Sequence, residues 1–326
     1  MSLILCRRGL LGLAAGAITA ASLVASQPLR AQTPDTVRIG YQRSSTLVAL
    51  LKANGELEKA LQPLGVKVTW HEFTSGLPLL EALNLGKIDL SADVADTVPV
   101  FAQAAGAKLV FYAEEAPSPS AQAILVPERS KIAGVADLRA KKVAVTKGAG
   151  SHYLLLAALA KAGLSLKDIE PAYLTPADGR AAFVGGNVDA WVAWDPFLAT
   201  TQAASKARIL ADGSDGLASY KRYYLASEDF AKGSDKVIAV LFDRLKATGD
   251  WVKAKPKDAA AQLATLWNID AAAVEVANGR RSYKVGAVTK AGLSEQQKIA
   301  DAFLAEGLLP KKIDTEAVAI WPPAGQ

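Results

Sequence analysis

The stretch KVAVTKGAGSHYLLLAALAK, residues 142–161, decides the fold. Residues 142–146 are short, apolar and rich in β-branched side chains, which predicts a strand. From 152 to 161, leucine and alanine recur at helical spacing, which predicts a helix. Between them lies a small, polar loop carrying Gly148, Gly150 and Ser151. A strand that runs through such a loop into a helix is the repeating unit of a parallel α/β sheet.

The unit recurs in both directions from there. Upstream, residues 37–40 form a short strand, and Ser44, Ser45 and Thr46 stand ahead of the apolar-periodic Leu47, Leu50 and Leu51. Asn54-Gly55 breaks that helix and residues 56–64 resume it. Val66, Val68 and Trp70 alternate with Lys67, Thr69 and His71, the pattern of a half-buried strand. A helix marked by Leu79, Leu80 and Leu83 follows, then short strands over 88–90, 109–112 and 123–126. Downstream, a strand over 169–174 precedes a helix over 177–185. Another over 191–194 precedes a turn at Asp195-Pro196, with short strands at 209–210 and 223–225. From Ser234 the chain reads as helical, over 237–253, 257–266, 271–278 and 294–304. Strand–helix alternation with a helical tail predicts α/β domains with parallel sheets.

Pro117-Ser118-Pro119-Ser120 reads as a linker, and residues 213–220 as a second loop-rich stretch. Two crossings there give one lobe from residues 32–117 and 227–326, and a second, inserted lobe from 118–226. Ligands of such sheets bind in the crevice outside the carboxyl ends of strands.

The chain has 326 residues, 51% hydrophobic and 21% charged, a globular composition. One Cys and two His leave no internal disulfide and no ready zinc shell. No metal or other cofactor is expected. The formal charge is +5, but Arg7, Arg8 and Arg30 lie in residues 1–31, which hold no acid. Removing them leaves +2, which gives no warrant for nucleic-acid binding. Residues 1–31 have the parts of an export signal: Arg7-Arg8, an apolar stretch over 9–24, and a small-residue exit with cleavage after Ala31 or Ser26. The Gly, Ser, Thr, Gln and Pro content of the uncharged run favours a cleaved leader over a retained anchor. Arg7-Arg8 resembles a twin-arginine signal, and both Sec and Tat export remain open. Cys6 would depart with the leader.

The loops after the strands point to an anion. Gln42, Ser44 and Ser45 follow the first strand, residues 91–97 with Asp93 and Thr97 follow the strand at 88–90, and Lys147, Gly148, Ser151 and His152 follow the strand at 142–146. Trp194 and Asp195 close the strand at 191–194. Helix N-termini offer free N–H groups and partial positive charge to a sulfate, phosphate or carboxylate. Lys147 adds a full charge and the hydroxyls add donors. The loop at 147–151 lacks the spacing of a P-loop. Trp191 and Trp194 sit three apart on a strand and so face opposite sides, which puts one in the core and Trp194 toward the crevice. His152 is read as a hydrogen-bonding residue, because neighbouring Ser151 and His152 diverge on a helix and make a poor nucleophile–base pair.

The sequence resembles the substrate-binding proteins of bacterial ABC importers for aliphatic sulfonates. The resemblance rests on Ile39-Gly-Tyr-Gln42, Pro99-Val-Phe-Ala-Gln-Ala-Ala-Gly106, Lys147-Gly148 with Ser151-His152, Tyr173-Leu-Thr-Pro-Ala-Asp178, Asn187-Val-Asp-Ala-Trp191 with Trp194-Asp-Pro196, and Arg281-Ser-Tyr283. It implies a type II periplasmic binding-protein fold, two lobes with central mixed sheets and a hinge cleft. It implies a monomer that delivers a small-molecule sulfonate to a permease and its ATPase. It places Gln42, Ser45, Thr97, Gly148, Ser151, His152, Trp194 and Asp195 around the cleft, with Lys147 and Asp178 beside them. In one loop the sequence departs from the family. Residues 91–99 replace a glycine-rich segment, which turns Asp93 toward the anion or toward the cation of a zwitterion. Taurine and nitrate are the alternative ligands, and an enzyme on the same fold is the alternative class.

Overall fold

A computed structural model describes residues 34–321, so the leader expected over residues 1–31, with Cys6, lies outside the described residues. The chain begins β1 (Thr36–Gln42), α1 (Thr46–Asn54), α2 (Glu56–Leu61), β2 (Lys67–Phe73), α3 (Gly76–Asn84), β3 (Leu90–Ala95), α4 (Thr97–Ala104) and β4 (Leu109–Glu115). It continues β5 (Gln122–Val126), β6 (Lys142–Val145), α5 (Gly150–Lys161), β7 (Glu170–Tyr173), α6 (Pro176–Val184), β8 (Ala190–Trp194), α7 (Phe197–Ser205) and β9 (Arg208–Asp212). It ends β10 (Arg222–Ser227), α8 (Glu228–Ala231), α9 (Asp235–Ala254), α10 (Pro256–Trp267), α11 (Ala271–Arg280), β11 (Val285–Gly286), α12 (Lys290–Ala305) and β12 (Ala319–Ile320).

Local rules account for the boundaries. Gly55 stops α1 in the left-handed conformation, φ +62°, where its N–H turns back to Leu51 and Lys52 carbonyls, and α2 starts at once. β2 alternates in exposure because it is the edge strand, as Val68 and Trp70 foretold. Where the sequence suggested a strand over 88–90 and then a loop, β3 instead runs on to Ala95. It lies between β1 and β10 and every residue in it is buried, so Ser91 and Asp93 are interior strand residues. Helices α4 and α7 open directly after β3 and β8, where residues 97–104 and 197–205 gave no strong periodic signal.

Both sheets are mixed. The larger has the order β11-β4-β10-β3-β1-β2, with β12 also on β4, and the smaller has the order β7-β6-β8-β5-β9. Each contains a parallel trio, β2-β1-β3 and β7-β6-β8, extended by one antiparallel strand, β10 and β5. In each case that strand is the one directly after a crossing, β5 after residues 116–121 and β10 after residues 213–221, so strand–helix alternation accounts for the parallel trios and the crossings make the sheets mixed, as the resemblance implied. β10 joins the larger sheet at Arg222, ahead of the boundary read at 226/227. The crossing segments lie side by side: the Ser118 N–H donates to Ser219 O at 3.0 Å and the Gly213 N–H to Pro119 O at 3.1 Å.

The core of the larger sheet packs Leu47, Leu50 and Leu51 of α1 against Leu241 and Leu245 of α9. A second cluster joins Val143, Val145, Leu154 and Leu155 of the smaller sheet's layer to Val100 of α4 and Ile299 and Phe303 of α12. Helices α4 and α12 therefore cover the start of α5. Among the described residues no helix is long and apolar enough to cross a membrane.

Candidate functional site

A cavity of about 390 Å³ opens where the carboxyl ends of β1 and β2 face those of β7 and β8. Gln42 and Ser44 line it from the first strand, Phe73 and Thr74 from the second, Thr175 and Ala177 from the loop after β7, and Trp194 and Phe197 from β8 and α7. The four helices α1, α3, α6 and α7 all begin within a few residues of this lining, so their positive ends converge on one space. Trp194 and Phe197 meet edge to face, 6.0 Å between centroids, and give one wall an apolar surface. Arg43 and Glu72 stand at the rim. Arg43 is held by a hydrogen bond from Nη2 to the Trp267 carbonyl, and Glu72 Oε2 accepts from the Tyr41 hydroxyl at 3.1 Å.

Beneath this cavity lies a closed charge network. Asp93 is 1% exposed, and its Oδ2 sits 2.6 Å from Arg222 Nε and 3.3 Å from Arg281 Nη2. Arg281 Nη2 also reaches Glu115 Oε2 at 2.6 Å. Coulombic support from these carboxylates holds the Arg281 guanidinium well above its ordinary value against desolvation. Two guanidinium groups thus balance the charge of two carboxylates, while Asp93 Oδ1, Arg222 Nε and Arg281 Nε make no hydrogen bond among the described residues. Asp93, read as facing the ligand, belongs to this network because β3 carries it into the interior. Its carbonyl accepts the Gln42 side-chain amide at 3.1 Å, so the network steadies one cavity residue from below.

The loop at 147–152 does not reach the cavity lining. Gly148 adopts φ +71°, and a Cβ there would stand 2.7 Å from Leu77 Cδ1 of α3. The Thr97 hydroxyl donates to the Gly148 carbonyl at 2.8 Å, which commits Thr97 to the same contact. His152 is fully buried, its Nδ1 accepting the Gly148 N–H at 3.1 Å and its ring edge-on to Tyr173 and Phe303. Burial, helped by the Lys147 charge, lowers its pKa to about 4, so the ring is neutral. Ser151 is fully buried with its hydroxyl unpartnered among the described residues. Lys147 is exposed, with Nζ 5.8 Å from the Tyr173 ring centroid.

The remaining expected residues serve local structure. The Ser45 hydroxyl accepts the Gln42 N–H at 3.1 Å and shapes the turn into α1. Asp178 is exposed and accepts the Thr175 hydroxyl at 2.7 Å, while its own N–H donates to that hydroxyl, a cap for α6. Asp195 is buried, accepts the Ala199 N–H at 2.9 Å and pairs with Arg280 at 3.3 Å. Burial raises its pKa to about 6, against the pull of Arg280. Of the residues expected from sequence, the cavity lining brings together Gln42, Ser44 and Trp194.

Residues 62–259 match the model of the family described as NMT1/THI5 like. A relative from Escherichia coli (strain K12), assigned as an aliphatic sulfonates-binding protein, is 40% identical over 292 residues, 89% of this chain and 90% of its own. The chain belongs to this aliphatic-sulfonate-binding family. The alkanesulfonate-binding protein of Xanthomonas axonopodis pv. citri, bound to MOPS, superimposes with a TM-score of 0.83 at 38% identity, covering 89% of this chain and 99% of that one. The periplasmic aliphatic sulphonate binding protein of Escherichia coli gives 0.80 at 39%, covering 90% and 94%. The fold is that of a type II periplasmic binding protein.

For this member of the sulfonate-binding family, the lining residues that sequence reading missed lie at the ends of β1, β2, β7 and β8: Arg43, Glu72 to Thr74, Thr175 to Ala177, and Phe197. Phe73 and Thr74 lie past Trp70, where the alternation ended, and Thr175 sits between a strand and a helix that were both recognised. The strand-end rule, applied to β2 and β7 as well as to β1 and β8, finds them, while the covered loop after β6 shows that packing decides which strand ends reach the crevice.

Proposed function

We propose that the protein is a periplasmic solute-binding protein that captures alkyl- or arylsulfonates and delivers them to an ABC permease and its ATPase. The observation that carries this reading is the cavity where four helix N-termini and the hydroxyls of Ser44 and Thr74 meet an aromatic wall of Trp194, Phe197 and Phe73. A sulfonate remains ionised at any working pH, so fixed N–H dipoles hold it without proton transfer. The organic tail packs on the rings. The two sheets act as cores of two lobes, hinged at residues 116–121 and 213–221, and closure excludes water from the anion. The chain works as a monomer, after export by the leader over residues 1–31 through Sec or Tat. It binds without turnover: Ser151 and His152 are not bonded to each other, and His152 already spends Nδ1 on Gly148.

Glu72 at the rim favours one second reading, a zwitterionic aminosulfonate such as taurine whose ammonium faces that carboxylate. Titration calorimetry with ethanesulfonate, MOPS, taurine, sulfate and nitrate tests both. Saturable heat with ethanesulfonate or MOPS is expected. Heat with nitrate alone would overturn the proposal, and a strong preference for taurine would favour the second reading.

A further inference from the structure

Arg280, the last residue of α11, reaches out of the larger sheet's layer into the smaller one's. Its Nη1 lies 3.3 Å and 3.4 Å from the two carboxylate oxygens of Asp195, and its Nη2 donates to Gln202 Oε1 at 2.7 Å. Asp195 follows β8 of the smaller sheet, and Gln202 lies on α7. Helix α11 leads into β11, which pairs with β4 of the larger sheet. The guanidinium therefore bridges parts of the chain built on different sheets.

The buried apolar part of that contact is a cluster of three alanines, Ala199, Ala273 and Ala277. Methyl groups bury little area and make no deep ridges, so they leave the relative setting of α7 and α11 weakly specified. The fork is directional and shielded, since the side chains of Asp195 and Arg280 are only 3% and 19% exposed. Its cation stands on a rigid base. The neighbouring Arg281 is locked by Glu115 and Asp93, and the Arg281 carbonyl accepts Lys253 Nζ at 2.8 Å. Its anion is equally fixed, by the Ala199 N–H, and directly follows Trp194 of the cavity wall.

We infer that Arg280, Asp195 and Gln202 form a latch that holds the two sheet layers together beside the ligand cavity. Asp195 and Arg280 are positioning residues for ligand retention and make no contact with the ligand. The inference rests on the sulfonate-capture reading. Opening the cavity requires breaking the fork, whereas encounter does not, so loss of the fork acts on dissociation more than on association.

The test combines two readouts on Arg280→Met and Gln202→Leu. Stopped-flow tryptophan fluorescence gives the association and dissociation rates of ethanesulfonate. Spin-label distances, with labels at the exposed Leu85 and Val184 in a chain carrying Cys6→Ser, give the separation of the layers without ligand. Arg280→Met is expected to raise the dissociation rate roughly ten- to a hundredfold, with association changed by less than about threefold. Its distance distribution is expected to broaden toward longer separations, and Gln202→Leu to shift both readouts less, in the same direction. Unchanged dissociation and unchanged distances, with only a lower melting temperature, would overturn the latch. If Arg280→Met does not fold, Gln202→Leu decides by the same readouts. A wild-type chain that binds neither ethanesulfonate nor MOPS overturns the functional reading instead, and the ligand-free distances still judge the latch.

Discussion

The loop after β1 and the loop after β6 occupy equivalent places. Each leaves the middle strand of a parallel trio and opens a helix, and each carries small polar residues. The first ends in the cavity, with Gln42 and Ser44 in its lining. The second is sealed, with Gly148 against Leu77 and Thr97, and His152 beneath Phe303. Local sequence is the same kind of signal in both. What differs is the cover: α4 and α12 close over the start of α5, while α1 packs on α9 and Ser44, just ahead of it, lines the cavity. A helix N-terminus becomes an anion site only where tertiary packing leaves it open.

The largest expected effect lies under the open loop. Asp93→Ala leaves Arg222 and Arg281 short of a buried partner and should cost about 3–5 kcal/mol in urea unfolding. A loss below about 1 kcal/mol would mean that the network does not support the floor. In the sealed loop, His152 has its folded pKa lowered to about 4, below the usual 6.5. The unfolded chain then binds the extra proton, so its contribution is complete above about pH 6.5 and is lost as pH falls toward 4. That amounts to about 3 kcal/mol. Asp195 and Asp96, raised to about 6 and about 7 mainly by burial, act in the opposite sense over the same range. The check is therefore the difference between wild type and His152→Asn at pH 7.5 and pH 4.5, and equal differences at the two pH values would show an accessible ring.

Trp194→Ala removes one wall of the open site. It should weaken ethanesulfonate or MOPS binding by about 2–3 kcal/mol in calorimetry. The smallest effect belongs to Ser151→Ala in the sealed loop. Deleting an unpartnered buried hydroxyl should leave sulfonate affinity within about twofold and raise stability by up to about 1 kcal/mol. A tenfold loss of affinity in that variant would erase the distinction between the two loops.

Much of the fold was legible because its signals are local. The break at Gly55, the alternation of β2 and the opposite faces of Trp191 and Trp194 each depend on a few neighbouring residues. Trp191 lies in the core against Phe183, while Trp194 lines the cavity, as three-residue spacing on a strand requires. The length of β3 was not legible, since Asp93 looks like a loop residue until Arg222 and Arg281, far along the chain, arrive to neutralise it. Membership of the cavity lining was legible only by strand-end position. Ser45 and Thr97 carry hydroxyls that suit an anion, but the Gln42 N–H and the Gly148 carbonyl engage them, and the Asp178 and Asp195 carboxylates face the Thr175 hydroxyl and Arg280 instead.

The comparison of the two loops is tested most directly by a crystal structure of the protein grown with ethanesulfonate. The expected result is the sulfonate oxygens within hydrogen-bonding distance of the Ser44 hydroxyl and the Ala177 N–H at the start of α6, with the carbon tail toward Trp194. A sulfonate bound instead at Gly148–Ser151, against the start of α5, would contradict it.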